Sequence, residues 1–350
     1  MSNEENSIIA RVFTRTNVPK QWIFVALLSC FALILGLYLF RSNPLVPAQS
    51  PLASVASVVS ISPVSPPETG KAAENAADDN YSRFYEAGLS YYDAKEYAQA
   101  IDSYNTALAI KPDYVDGLNA RGNAYLAMGD VTQAMQDYNK AIEFDSSYGT
   151  AYYNRGRAKT FAKDYQGALV DFAYVITSTP RLAYDARVNR GVVYCYMRDY
   201  KLALQEYEAA IRADPNQANA YLNKATTLVA SGDFSPSIAV YNSAIAIDSR
   251  LGSAYWGKGW AYYELKDYEA SIEATKKAID LIPGKAALYF NLGLAQLAGN
   301  HIEEAHASYQ TGLQFAAGDE KKQAIAELEA LKETMPERAT DVEQLVKSLR

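Results

Sequence analysis

The chain has 350 residues, 49% of them hydrophobic, with 40 acidic against 33 basic side chains and a net charge of −7. That is ample apolar material for a sizeable core. Without residues 1–41 the balance is 29 basic against 38 acidic, an acidic body with no basic stripe, which argues against nucleic acid as a partner because phosphates demand clustered Lys and Arg.

Residues 1–21 read as a cytoplasmic tail. From Trp22 to Phe40 run 19 residues without a charge, bracketed by Lys20 and Arg41. At 1.5 Å rise per residue this stretch spans roughly 28 Å, the hydrocarbon thickness of a bilayer, and Trp22 and Tyr38 sit where amphipathic rings prefer the headgroups. Arg11, Arg15 and Lys20 precede the span and Arg41 alone follows it before Lys71, which sets the N-terminus in the cytoplasm and the remainder outside. A cleavable signal peptide ending near Val46-Pro47-Ala48, or lipidation at Leu27-Leu28-Ser29-Cys30, would compete; the length and flanks favour an uncleaved anchor. Cys30 lies in this segment and Cys195 far beyond it, so the chain has no disulfide framework. Residues 41–80 are rich in Pro, Ser, Ala and Val and read as a disordered spacer, with a reach of roughly 35 Å as a flexible coil.

From residue 81 the chain repeats one phrase seven times, over 81–114, 115–148, 149–183, 184–217, 218–251, 252–285 and 286–318. The small residue at place 8 of each phrase falls at Gly88, Gly122, Gly156, Gly191, Ala225, Gly259 and Gly293, always 34 apart except for one step of 35 near Ala183. A unit of this length cannot bury its own apolar face and must stack on its neighbours. Places 4, 8 and 11 share one helical face. Place 24 is aromatic in six phrases (Tyr104, Tyr138, Phe172, Tyr207, Tyr241 and Tyr309), and opposite it place 20 is small, a knob-in-hole pattern for a helical hairpin. Pro112, Pro180, Pro215 and Pro283 at place 32 end the second helix, whereas Ser235 and Pro236 read as N-cap and first residue of one.

An aromatic or Leu at place 4, Gly or Ala at 8, Tyr at 11, Ala at 20, an aromatic at 24, Ala at 27 and Pro at 32 together resemble the tetratricopeptide repeat (TPR). The resemblance covers about two thirds of the chain. It implies an all-α, right-handed superhelix of about seven helix-turn-helix repeats, here preceded by one transmembrane helix, with first helices lining a concave groove that binds peptides or proteins. Beyond Asp319 the repeat stops. Residues 319–350 read as capping helices, one carrying Ala324, Ile325, Leu328 and Leu331, the next opened by a Thr340–Glu343 capping box.

Two ladders run through the first helices. Place 7 carries Arg121, Arg155, Arg190, Lys224 and Lys258, and the three Arg phrases alone have an acid 16 residues on: Asp137, Asp171 and Glu206. That co-occurrence favours a structural pair bridging the two helices of a hairpin over a basic ligand site. Place 6 carries Asn154, Asn189, Asn223 and Asn291, on the face opposite the core stripe. Asn offers both donor and acceptor, so such a ladder can hold a peptide backbone without reading its side chains; similar ladders in the resembled family do so. Asn119, one place earlier, joins them. Trp256, Trp260 and Tyr263 are expected as the exposed anchor of this face, although packing between first helices accounts for most of the apolar content at place 5. The family's carboxylate clamp is not reproduced.

His301 and His306 lie five apart across a helix start and read as surface residues. No phosphate loop, nucleophile elbow or zinc pattern occurs, so no catalytic residue, metal or cofactor is assigned and an enzyme is not expected. The chain reads as a monomeric, membrane-anchored adaptor holding proteins or peptides outside the cytoplasm, in envelope assembly or chaperoning. A cytosol-facing organelle receptor and a regulatory subunit of an enzyme complex are the alternatives.

Overall fold

The structure, a computed structural model, describes residues 78–318 and 320–349. The expected tail and the anchor at 22–40 lie outside the described residues, as does the spacer up to residue 77. Among the described residues all regular structure is helical, and no helix is long and apolar enough to cross a membrane.

Fourteen of the helices form seven hairpins: α1 (Asp78–Asp93) with α2 (Tyr97–Ile110), α3 (Val115–Ala127) with α4 (Val131–Phe144), α5 (Gly149–Phe161) with α6 (Tyr165–Ser178), α7 (Ala183–Tyr196) with α8 (Tyr200–Ala213), α9 (Ala218–Ser231) with α10 (Phe234–Ile247), α11 (Gly252–Glu264) with α12 (Tyr268–Leu281), and α13 (Ala286–Ala298) with α14 (Ile302–Phe315). The extra residue of the third phrase is absorbed in a 3-10 turn, Pro180–Leu182, ahead of α7. Each second helix packs against the first helix of its own hairpin and of the next. First helices of neighbouring hairpins also approach one another, and more closely than second helices do, which makes their shared face the inner one.

What brings the two helices of a hairpin together is the fit of a ring over a glycine. A Cβ at Gly88 would lie 2.4 Å from the Tyr104 ring, at Gly122 2.6 Å from Tyr138, and at Gly191 2.6 Å from Tyr207. The rings themselves are fully or almost fully buried. Gly costs helix propensity relative to Ala, about 1 kcal/mol, and close approach offsets it.

The turn between the helices uses one backbone device seven times. Lys95, Gly129, Lys163, Arg198, Gly232, Lys266 and Asn300 all have positive φ, between 61° and 87°. The next residue then caps the second helix; the side chains of Asp130, Asp164, Asp199 and Asp267 accept from the backbone N–H three residues on. In α10 the N-cap is Asp233, so Ser235 and Pro236 stand inside the first turn, a correction to the expected boundary. Pro236 is tolerated there because first-turn N–H groups have no intrahelical partner.

Beyond α14, α15 (Glu320–Thr334), a 3-10 turn (Pro336–Arg338) and α16 (Ala339–Leu349) follow. Val342, Leu345, Val346 and Leu349 are buried in the same cluster as Leu328, Leu331, Phe290 and Leu297, so these helices cover the last hairpin. Thr340 lies within α16, not at its cap, because the 3-10 turn feeds directly into Ala339; the expected capping box does not form.

Candidate functional site

The place-7 cations face the second helices. Arg121 donates from Nε and Nη2 to both carboxylate oxygens of Asp137, at 2.8 and 2.6 Å. Arg155 grips Asp171 in the same way at 2.9 and 2.7 Å, and Arg190 reaches Glu206 through a single bond of 2.6 Å. Each guanidinium of the first two also donates backward, across the hairpin boundary, to Asn105 at 2.6 Å and Asn139 at 2.8 Å. Lys224, with no acid ahead, reaches back to Glu208 at 3.0 Å. The signal for this backward contact was an amide or acid at place 25. These bonds tie hairpin to hairpin, so the ladder is occupied by the fold. Where the pair is missing, at Lys258 and Ala274, an open cleft of about 530 Å³ lies between α11 and α12, with acidic and basic side chains mixed along it.

The inner face divides into two halves. Every place-5 residue is buried (Tyr85, Asn119, Tyr153, Val188, Leu222, Trp256, Phe290), which makes this row the seam between successive first helices. At place 9 the first three repeats carry half-buried Leu89, Asn123 and Arg157, whereas Val192, Thr226, Trp260 and Leu294 are buried. Trp256 and Trp260, expected as exposed anchors, are therefore 5% and 4% exposed. Trp256 is covered by Ala278 and Leu288, and Trp260 stacks on half-buried Tyr263 (ring centroids 5.3 Å apart) within the cluster that runs to the C-terminal helices. The reason lies in the next repeat: Leu288 and Phe290 of α13 pack in the same clusters as Trp256 and Trp260 and keep both indoles from solvent.

The asparagines stay on the inner face. Asn154 donates from Nδ2 to Asn119 Oδ1 at 2.8 Å, a rung-to-rung bond between α5 and α3. Asn189 donates to Tyr153 Oη at 3.0 Å and to the Asp185 carbonyl at 2.9 Å, and Asn223 to the Asn219 carbonyl at 3.0 Å. The side-chain oxygens of Asn189 and Asn223 accept no bond from the described residues. Asn119, Asn154 and Asn291 are buried, the first two bonded to each other, while Asn189 and Asn223 are half-buried.

Arg157, at place 9 of the groove face, was given no role by the sequence alone. Its Nη1 donates to Asn154 Oδ1 at 3.0 Å, its Nε is buried without a hydrogen-bond partner, and among the described residues no carboxylate pairs with it. The guanidinium lies 5.9 Å from the Tyr153 ring centre. Burial pushes the Tyr153 hydroxyl up to about 12, with the Arg157 charge opposing that push, and the same opposition acts at Tyr92 and Tyr138. A periodic signal existed. Asn123 and Thr226 at place 9 satisfy the hydroxyls of Tyr138 (2.8 Å) and Tyr241 (3.2 Å) at place 24 of their own repeats. In the third repeat place 24 is Phe172, which has no hydroxyl, so Arg157 is released from that duty. His301, as a surface residue, meets Glu269 at 2.7 Å.

Models of the tetratricopeptide repeat match residues 88–159, 188–252 and 252–285. These segments are tetratricopeptide repeats, stacked as a TPR superhelix. No curated protein matches the chain. Among solved structures, a tetratricopeptide repeat protein from Parabacteroides merdae is 19% identical, with a TM-score of 0.56 over 76% of this chain and 99% of that one. Pseudomonas aeruginosa PilF is 20% identical, with a TM-score of 0.52 over 61% of this chain and 97% of its own. PilW, a type IV pilus biogenesis factor, is 16% identical, with a TM-score of 0.56 over 61% of this chain and 98% of its own. At these identities the likeness is one of fold.

Proposed function

We propose that this chain is a membrane-anchored TPR scaffold that holds an extended protein segment along its inner, first-helix face. The observation that carries the reading is the row of side-chain amides from consecutive repeats, in which Asn189 and Asn223 keep unused acceptor oxygens on a half-buried surface. A backbone N–H of an extended segment is the complementary group, and such bonds are indifferent to sequence. The uncharged stretch 22–40 supplies the anchor, and its flanking charges orient the repeats outside the cytoplasm as a monomeric adaptor. Envelope assembly is the matching role; that one fold neighbour is a pilus biogenesis factor agrees with it without carrying it.

Selection of peptides from a random library on the full chain, followed by titration, tests the binding. Asn223→Ala should weaken a selected peptide by about tenfold, the worth of one good hydrogen bond, at unchanged melting temperature; Asn189→Ala should weaken it as much and also lower the melting temperature, because the buried Tyr153 hydroxyl loses its donor. Equal affinities for the variants and the parent would overturn the ladder's role. Protease digestion of intact cells should cut the repeats from outside; protection until the membrane is opened would overturn the orientation.

A further inference from the structure

Among the described residues the inner face holds one cation, Arg157, that no carboxylate meets. Arg121, Arg155 and Arg190 each meet a carboxylate within 2.7 Å, but Arg157 meets only the amide oxygen of Asn154. The buried Nε is out of a ligand's reach, but no described residue accepts from Nη2, and a carboxylate is the partner that matches the free edge of a half-buried guanidinium. The hydroxyl that occupies the place-9 side chain in two other repeats is absent here because place 24 is Phe172. We propose that Arg157 reads one acidic side chain, Asp or Glu, at an internal position of the extended segment held on this face. The inference rests on the scaffold reading above and adds to it the chemistry of the partner.

The position along the ladder selects an internal residue over a chain end. Asn119 and Asn154 lie toward the first repeat and Asn189 and Asn223 toward the fifth, so a backbone following the row continues on both sides of Arg157. The charge also acts locally. The body of the chain is acidic, so its general field repels an acidic segment, and a single unpaired Arg fixes register more than it adds overall affinity.

The test is selection of a random peptide library on the full chain and on Arg157→Gln, Arg157→Lys and Arg157→Glu, with melting temperatures measured for all four. Expected are peptides with Asp or Glu at one fixed internal position for the parent and Arg157→Lys, no such preference for Arg157→Gln, and Lys or Arg at that position for Arg157→Glu. For one selected peptide, changing its Glu to Gln should weaken binding about tenfold to the parent and not at all to Arg157→Gln. Because no carboxylate partner is lost, Arg157→Gln should melt no lower than the parent; should it unfold, Arg157→Lys and the Glu-to-Gln peptide pair on the parent still decide. Peptides bound without an acidic preference, or with one unchanged in Arg157→Gln, would overturn this inference and leave the scaffold reading standing. An acid found only at the peptide's C-terminal carboxylate would overturn the internal placement. No peptide bound by any of the four would overturn the scaffold reading and this inference with it.

Discussion

At the scale of single residues, charge partnership separates the arginines of the first helices. Arg155 and Asp171 are 17% and 2% exposed, and their bidentate pair is supplemented by Lys159 at 2.8 Å from the same carboxylate. Arg155→Ala leaves the buried Asp171 carboxylate with Lys159 as its remaining cation, so the loss should be about 2 kcal/mol by denaturant titration. The double variant Arg155→Ala/Asp171→Ala should cost less than the sum of the singles; strict additivity would mean the pair does not couple. Trp260, buried against its neighbours, should behave as core: Trp260→Ala should lose about 3–5 kcal/mol. Burial raises the Asp185 carboxyl above its ordinary range. A raised folded-state value gives stability below the unfolded pKa that is lost as pH rises through the folded one. Asp185→Asn should therefore raise the melting temperature at pH 7, and the gain should shrink as the pH falls through the carboxylate range.

At the scale of the element, the turn and the hairpin seam make separate predictions. Lys163 holds φ at 61° in a conformation that L side chains enter at a cost, so Lys163→Gly should stabilise by about 0.5–1 kcal/mol where glycine's own entropy is subtracted. Gly191→Val should instead drive a branched side chain into the Tyr207 ring and destabilise by at least 1–3 kcal/mol. The hairpins and the ring-over-glycine seam were legible in the sequence because both partners lie in one phrase and recur. The inner face was less so. Whether Trp256 and Trp260 meet solvent depends on Leu288 and Phe290, one repeat away, a relation that helical periodicity within one phrase does not carry. The role of Arg157 was hidden for a similar reason, since it lies in the contrast with Asn123 and Thr226 at the same place and in Phe172 standing where other repeats have a tyrosine.

At the scale of the whole molecule, the buried residues form a succession of clusters along the repeats, and the one at the C-terminal end includes side chains of α15 and α16. Truncation after Ala316 should expose Phe290 and Leu297 and lower the melting temperature of the last repeats before the first ones. The inner face also closes along its length: place 9 is half-buried in the first three repeats and buried from the fourth onward, so beyond Arg157 a bound segment engages through the half-buried place-6 amides of Asn189 and Asn223. Site-specific photocrosslinking measures this most directly, with the reactive group placed at Asn123 or Asn189 in one set of full-length variants and at Ser253 or Ala298 in another, against a library-selected peptide. Strong peptide adducts are expected from Asn123 and Asn189 and weak ones from Ser253 and Ala298. Equal labelling along the row, or adducts concentrated at Ser253 and Ala298, would contradict it.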